Sequence, residues 1–269
     1  MASDQAQTGQ KFIAIVLAGS RGPSDPVAEA AGVRAKALAE IGGVAMVSRV
    51  IAALATSESV SEIVVVGLSA ELPADVEAVL AARSVRRVMG AETPSRSVIA
   101  ALETLDSAAP VLVTTADHAL LQSEYVDEFC GGARTCGADV AIALATHQKV
   151  VAASPDTRRT VSRFSDGEYC GCNLFAFMTQ RGRDAVGFWR RVEAHRKNPV
   201  RVIRSLGLFT LLRFVSGRLS LSQGLGALSR RSGATVAPVL MKHGEAAIDV
   251  DSAEDLHRVR AMVAAREPG

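Results

Sequence analysis

The chain has 269 residues, 48% of them hydrophobic, with a formal net charge of +2 and four cysteines. That apolar share supports one large packed domain or two small ones and excludes a disordered chain. No apolar run reaches the ~20 residues that a membrane-crossing helix needs, and the start, MASDQAQTGQK, has neither the basic nor the apolar part of a secretion signal, so a cytoplasmic location is expected.

Taken in order, the chain alternates two patterns. KFIAIVLAG (11–19) is a continuous apolar run, the mark of a strand covered on both faces. AMVSRVIAALATS (45–57) has helical spacing, SEIVVVGLS (61–69) is a second buried strand, ADVEAVLAAR (74–83) a helix and VRRVMG (85–90) a short strand. SRSVIAALETLDS (95–107) reads as a helix opened by Ser95, and APVLVTTAD (109–117) as a strand ending on Asp117. SEYVDEFCGGARTCG (123–137) is helical in its first part, and ADVAIALAT (138–146) is again a strand. This alternation predicts an α/β fold, a doubly wound, mostly parallel sheet with helices on both faces. Ligands of such sheets bind beyond the carboxyl ends of the strands, where Gly19–Gly22 and Asp117–His118 fall. Cys130, Cys136, Cys170 and Cys172 show no C-x-x-C spacing and read as small buried residues.

The chemistry is expected at those strand ends. A glycine-rich turn lets backbone N–H groups approach an anion. Arg21 adds a fixed charge, and Lys36 follows across GPSDPVAEAAGVRAK, a stretch too rich in Pro and Gly to be one helix. Together they form a candidate cradle for a polyphosphate, although neither G-x-x-x-x-G-K-[ST] nor G-x-G-x-x-G is present. Asp117, at the end of a buried strand, needs compensation for its desolvation. Magnesium supplies it where phosphates bind, with one or two carboxylates as protein ligands. The second carboxylate is expected from IDVDSAEDL (248–256). There Asp249 and Asp251 lie two apart on an extended segment and face one side, and Ser252 opens a helix with Asp255 as its capping partner. Asp251 is the first choice and Asp249 the second; the plainer reading is solvated residues before a helix cap.

The motifs LAGSRG…K, TTADH, GCNLF and IDVDSAEDL, in that order, resemble those of the GT-A-like nucleotidyltransferases. That superfamily includes molybdenum cofactor guanylyltransferase, methylerythritol-phosphate cytidylyltransferase, CMP-Kdo synthetase and the sugar-phosphate nucleotidyltransferases. The likeness covers residues 11–178 and 236–265. It implies a Rossmann-like nucleotidyltransferase fold and a Mg²⁺-dependent transfer of an NMP group from an NTP to a phosphorylated small molecule or lipid precursor, with release of pyrophosphate. It implies that Leu17, Ala18, Gly19, Ser20, Arg21, Lys36 and Asp117 bind the nucleotide, Gly19, Ser20, Arg21 and Lys36 at its phosphates, with Arg21, Lys36 and Asp117 as the catalytic set. Asp117 and Asp251 then hold the metal. GAETPSRSVIAAL resembles a cytidylyltransferase segment whose arginine and serine lie near ribose and base, which places Arg96 and Ser97 there and favours CTP, with GTP next. His118 and Asn173 would face the acceptor. The chain departs from the family in three places: Ser20 replaces the second glycine of the first loop, Lys36 lies fifteen residues beyond Arg21, and Asp249 stands where the methylerythritol-phosphate enzymes have a lysine.

Residues 181–231 carry twelve Lys and Arg against Asp184 and Glu193 alone. The expectation is one domain over 1–269 with this basic helical segment as an insertion or lid. It meets an anionic membrane at its periphery, an apolar phosphorylated acceptor or a second copy in a homodimer; the plainer reading is a helix pair packed on the sheet. Nucleic acid is not expected, because stacking aromatics are few. The alternative for the whole chain is a non-catalytic nucleotide-binding or membrane-pathway scaffold of the same fold. A glycosyltransferase is disfavoured, since the only D-x-D is Asp249–Asp251, near the C-terminus.

Overall fold

The computed structural model describes residues 9–19, 25–105, 108–193, 204 and 207–266. Strand β1 (Phe12–Leu17) lies at the centre and shows why its sequence is apolar throughout. Phe12, Ala14 and Val16 enter one core, and Ile13 and Ile15 the other. Past the first loop come α1 (Pro26–Ala31), a 3₁₀ turn (Lys36–Leu38) and a small hairpin of β2 (Glu40–Ile41) with β3 (Val44–Ala45). Then follow α2 (Met46–Thr56), β4 (Val60–Val66), α3 (Ala74–Ala82), β5 (Arg86–Val88), α4 (Pro94–Leu102) and β6 (Val111–Thr115). The second half holds α5 (Ser123–Thr135), β7 (Val140–Thr146), α6 (His147–Ala153), β8 (Ser162–Phe164), β9 (Gly167–Phe177), α7 (Gln180–Asp184) and α8 (Val186–Glu193). It closes with α9 (Leu208–Val215), α10 (Leu221–Ser232), β10 (Val236–Leu240), a 3₁₀ turn (Gly244–Ala247) and α11 (Ala253–Ala264).

Among the described residues eight strands form one sheet. Its main path runs β10-β7-β9-β6-β1-β4-β5, and β8 pairs with β9 off that path. β1 is parallel to both neighbours, β4 pairs β5 in parallel and β7 pairs β10 in parallel; β9 runs antiparallel between β6 and β7. The expected mostly parallel sheet is therefore present, with β9 as the reversed strand. α2, α3 and α5 pack on one face through residues such as Leu54, Leu80 and Phe129, and α4 and α8 on the other through Val98 and Val186. No helix among the described residues is long and apolar enough to cross a membrane. All four cysteines are free, and Cys130, Cys170 and Cys172 are buried.

Two local expectations are corrected. The cap of α4 is Thr93, whose hydroxyl accepts from the Arg96 N–H at 3.3 Å, and not Ser95; Pro94 fits the first helical position because its missing N–H is not needed there. α5 does not stop at its glycine pair. A Cβ on Gly132 would come within 2.5 Å of Val239 on β10, so the glycine keeps the helix close to the sheet.

The carboxyl ends of β1, β4 and β5 are joined beyond the strands themselves. Ala116 N–H donates to Leu17 O at 2.9 Å, Ala18 N–H to Val66 O at 2.9 Å, and Gly67 N–H to Val88 O at 3.0 Å. Above these bonds Gly19, Gly67 and Gly90 pack backbone to backbone. A Cβ on Gly67, whose φ is +82°, would lie 3.0 Å from Gly19 Cα, and one on Gly90 only 2.8 Å from Gly67 Cα. The floor beneath the strand ends thus contains no side chain. Gly90→Ala should lower stability by about 1–3 kcal/mol through overpacking. Gly131→Ala, in the interior of α5 with nothing near the added carbon, should instead raise it by about 0.5–1 kcal/mol. Urea unfolding of the two variants measures the contrast.

Candidate active site

Lys36 opens the 3₁₀ turn that follows α1. Asp25 caps α1 by accepting from Val27 N–H at 3.0 Å and Ala28 N–H at 3.3 Å, and Gly32 closes it in the left-handed conformation. The chain is thereby turned back, and buried Ala35, Ala37 and Leu38 fix the backbone on either side of Lys36. Its ammonium reaches over the strand ends to two carboxylates. Nζ donates to Asp117 Oδ2 at 2.6 Å and to Asp251 Oδ1 at 2.9 Å, across sequence separations of 81 and 215 residues. Asp117 stands two residues past β6. Its second oxygen, Oδ1, is buried and has no hydrogen-bond partner among the described residues.

Asp251 is brought there by apolar packing. Ile248 and Val250 are buried with Leu120, Leu256 and Val259, and Val250 N–H donates to the backbone oxygen of Asp117 at 3.1 Å. Ser252 caps α11 by accepting from Asp255 N–H at 3.1 Å, as expected, and Asp255 Oδ2 accepts from Asp251 N–H at 3.3 Å. Burial acts to lower the Lys36 pKa, but Asp117 and then Asp251 outweigh it through charge and hydrogen bonding, and hold the ammonium above its ordinary value. Lys36 is thus charged throughout the physiological range. Two carboxylates on one ammonium leave one negative charge in excess.

Asp249 and Asp251 do not face the same way. The chain passes from a 3₁₀ turn to a helix cap within residues 248–251, too short a stretch for strand alternation to hold. Asp251 is exposed and meets Lys36, whereas Asp249 is 5% exposed and turned inward. There it forms an ion pair with Arg159, whose Nη2 lies 3.0 Å from Oδ2, and accepts from Asn173 Nδ2. Asn173 sits in the left-handed region, φ 50°, in a bulge of β9 where the pairing with β7 shifts between Ile142 and Leu144. That bulge aims its amide at Asp249.

The remaining expected residues divide by position. Ala18 is buried, and the Leu17 carbonyl and Ala18 N–H are taken by the sheet, so Gly19 is the exposed member of that tip. Ser20 and Arg21 lie outside the described residues. On the β5 side Ser97 is buried, and its Oγ accepts from Ala91 N–H at 2.9 Å, which fixes the turn above Gly90. Arg96 is exposed and paired with Glu92. His118 is buried, and burial, partly offset by Asp117 and reinforced by the Arg159 charge, pulls its pKa down to about 4; it is neutral at pH 7. Arg159 was not expected from the sequence, where nothing separates it from Arg158. Gly67 and Gly90 were also missed, though glycine directly after a buried strand was a usable signal.

A phosphate-sized anion could approach Gly19 and Lys36, and a cation could approach Asp117 and Asp251. The sequence profile of the MobA-like NTP transferase domain matches residues 14–184, which include Lys36 and Asp117. The chain belongs to that family. MobA-like NTP transferases are nucleotidyltransferases, and this one is an enzyme of that type. It is similar to a solved structure of a hypothetical transferase from Thermus thermophilus, at 31% identity and a TM-score of 0.75, covering 91% of this chain and 99% of that one. The fold is shared with CMP:2-keto-3-deoxy-manno-octonic acid synthetase complexed with CTP, at 15% identity and a TM-score of 0.57, covering 96% and 100%. It is shared also with 4-diphosphocytidyl-2C-methyl-D-erythritol synthase from Anaerococcus prevotii, at 16% identity and a TM-score of 0.53, covering 96% and 98%. No curated protein sequence matches the chain significantly.

The buried Arg159–Asp249 pair of this MobA-like domain can be tested alone. Arg159→Ala leaves a buried carboxylate uncompensated and should cost about 3–5 kcal/mol, and adding Asp249→Asn should recover part of that loss. Denaturant midpoints of the two single variants and the double variant give the coupling.

Proposed function

We propose that this nucleotidyltransferase moves an NMP group from an NTP, CTP by preference and GTP next, to a phosphorylated small molecule or lipid precursor, and releases pyrophosphate. The observation that carries the reading is the convergence of Asp117 and Asp251 on Lys36 at the strand ends. The residues fit a magnesium ion: two carboxylates meet at one point, and Asp117 Oδ1 is buried without a partner there among the described residues. Mg²⁺ held by Asp117 and Asp251 supplies charge neutralisation on the phosphates.

The chain's own groups do the rest. Lys36, charged and fixed by its turn, binds the phosphates together with the Gly19 backbone and Arg21. Ser97 and Arg96 stand at the nucleoside end, and the likeness of their segment to cytidylyltransferases favours CTP. Asn173, oriented by Asp249 and Arg159, faces the acceptor. His118, neutral and buried, supports that side from behind Asp117. An acceptor phosphate is already deprotonated at pH 7, so no residue need act as a general base. In-line attack of its oxygen on the α-phosphorus forms one P–O bond as the bond to pyrophosphate breaks. All these residues come from one chain, read as a single domain over 1–269. The basic residues of 181–231 would suit an anionic acceptor with an apolar part.

Pyrophosphate release across four NTPs with a panel of phosphorylated acceptors tests the reading. CTP should give the highest kcat/KM, and Asp117→Asn should abolish turnover while leaving the unfolding midpoint near that of the wild type. Lys36→Ala should cost about 1.5–3 kcal/mol in kcat/KM, the range for a charge-assisted bond. Arg34→Ala, whose guanidinium is held by Glu71 at the surface, should change little. Pyrophosphate release no faster than that of Asp117→Asn, with every NTP and acceptor, would overturn the assignment.

A further inference from the structure

The described residues of 181–231 are mostly accounted for by packing. Arg183 is buried and donates to the Ala109 carbonyl. Trp189 on α8 meets Phe175 of β9 edge to face at 4.4 Å, and α10 packs its Leu221 and Leu225 with Tyr169. Residues 194–203, 205 and 206 lie outside the described residues. Among the described residues, packing leaves over one face of α9. Its inner side, Leu211 and Phe214, joins a small cluster with Phe164, Leu219 and Leu228. Its outer side presents Phe209 at 72%, Leu212 at 60% and Val215 at 71% exposure. The spacing of three puts them on one stripe. Three large apolar side chains in water on two turns of helix have no folding reason to be there.

The charge around the stripe has one sign. Between residues 207 and 232 the sequence has Arg213, Arg218, Arg230 and Arg231 and no acidic residue. Arg213 lies 5.8 Å from the centre of the Phe209 ring, and Arg218 and Arg204 are exposed. We propose that the outer face of α9 rests on a bilayer surface that carries anionic lipid, with Phe209, Leu212 and Val215 entering the headgroup boundary and the flanking arginines on the phosphates. An amphipathic helix with arginines beside large apolar residues suits that interface. A two-fold contact with a second copy would set the same patch against itself, bringing arginines against arginines with no carboxylate between them. An anionic bilayer offers the opposite charge.

The position of α9 gives the contact a use. Phe214 packs edge to face on Phe164 of β8 at 6.3 Å. Ser165 N–H donates to Leu219 O at 2.8 Å, and Leu221 N–H to Asp166 Oδ1 at 2.9 Å. The helix is thus clamped to the β8–β9 turn. β9 begins beside the carboxyl end of β7, where Tyr169 pairs with Thr146, and leads to Asn173. A protein lying on this face holds the Asn173 end of its site near the lipid surface.

Flotation of the whole chain tests the proposal, with vesicles of phosphatidylcholine alone and of phosphatidylcholine with phosphatidylglycerol. The wild type should float with the anionic vesicles and not with the neutral ones. Arg213→Glu/Arg218→Glu should lower the partition coefficient at least about tenfold, and so should raising the salt from ~0.1 M to ~0.5 M. Phe209→Ser/Leu212→Ser/Val215→Ser should abolish flotation at either salt, while its unfolding midpoint stays at the wild-type value or above because the altered side chains face water. Failure of the wild type to float with anionic vesicles would overturn the proposal. So would flotation undiminished in the serine variant, or a wild-type dimer that this variant dissociates, which would give the face to a second copy. Pyrophosphate release with a water-soluble acceptor is read separately, so failure of the proposed function and failure of this surface are distinguishable.

Discussion

The Lys36 ammonium, 2.6 Å from Asp117 and 2.9 Å from Asp251, is the contact on which the site depends. Two carboxylates this near one point repel each other unless a cation lies between them. Asp117 is placed by β6, Asp251 by the packing of Ile248 and Val250 under α11, and Lys36 by a turn between buried alanines. The burial around each is largely apolar. The polar contact is therefore imposed by the packing, and the net negative charge left over makes the place receptive to a further cation.

A second constraint keeps the neighbourhood open. Gly19, Gly67 and Gly90 bring the strand ends together backbone to backbone, and Gly19 is exposed at the tip of β1. The Arg159–Asp249–Asn173 group does the opposite on the far side of Asp117. It is a cluster around a buried carboxylate, and it holds the bulge in β9. Buried ion pairs seldom add net stability. This one orients Asn173 and ties β9 to the segment that carries Asp251.

The basic segment combines two roles that composition alone blends. α8 and α10 are covering helices whose apolar sides meet the sheet, with Arg190, Arg230 and Arg231 exposed. Among the described residues of the segment, α9 has apolar residues on both sides, one satisfied by Phe164 and its neighbours and one left in water. A helix two turns long cannot bury both sides against a single sheet edge, so its outer side remains available for contact.

Local signals were enough to read the alternation of strands and helices, the two-sided burial of β1, Asp117 as a carboxylate ending a buried strand, and the Ser252 cap. Each of these is written in residues within a few positions of one another, where periodicity and capping chemistry act. Lys36 and Asp251 were legible as candidates through the resemblance and the acidic pair, but not their meeting. What required the tertiary structure was every choice between near-identical neighbours. α5 continues through Gly131 and Gly132, Arg159 rather than Arg158 pairs with Asp249, and Asp249 turns inward while Asp251 turns out. In each pair the two residues have the same intrinsic chemistry, and the difference is made by the group opposite: Val239 across from Gly132, Asn173 across from Asp249, Lys36 across from Asp251. Those partners lie tens to hundreds of positions away in the chain, and only folding sets them face to face.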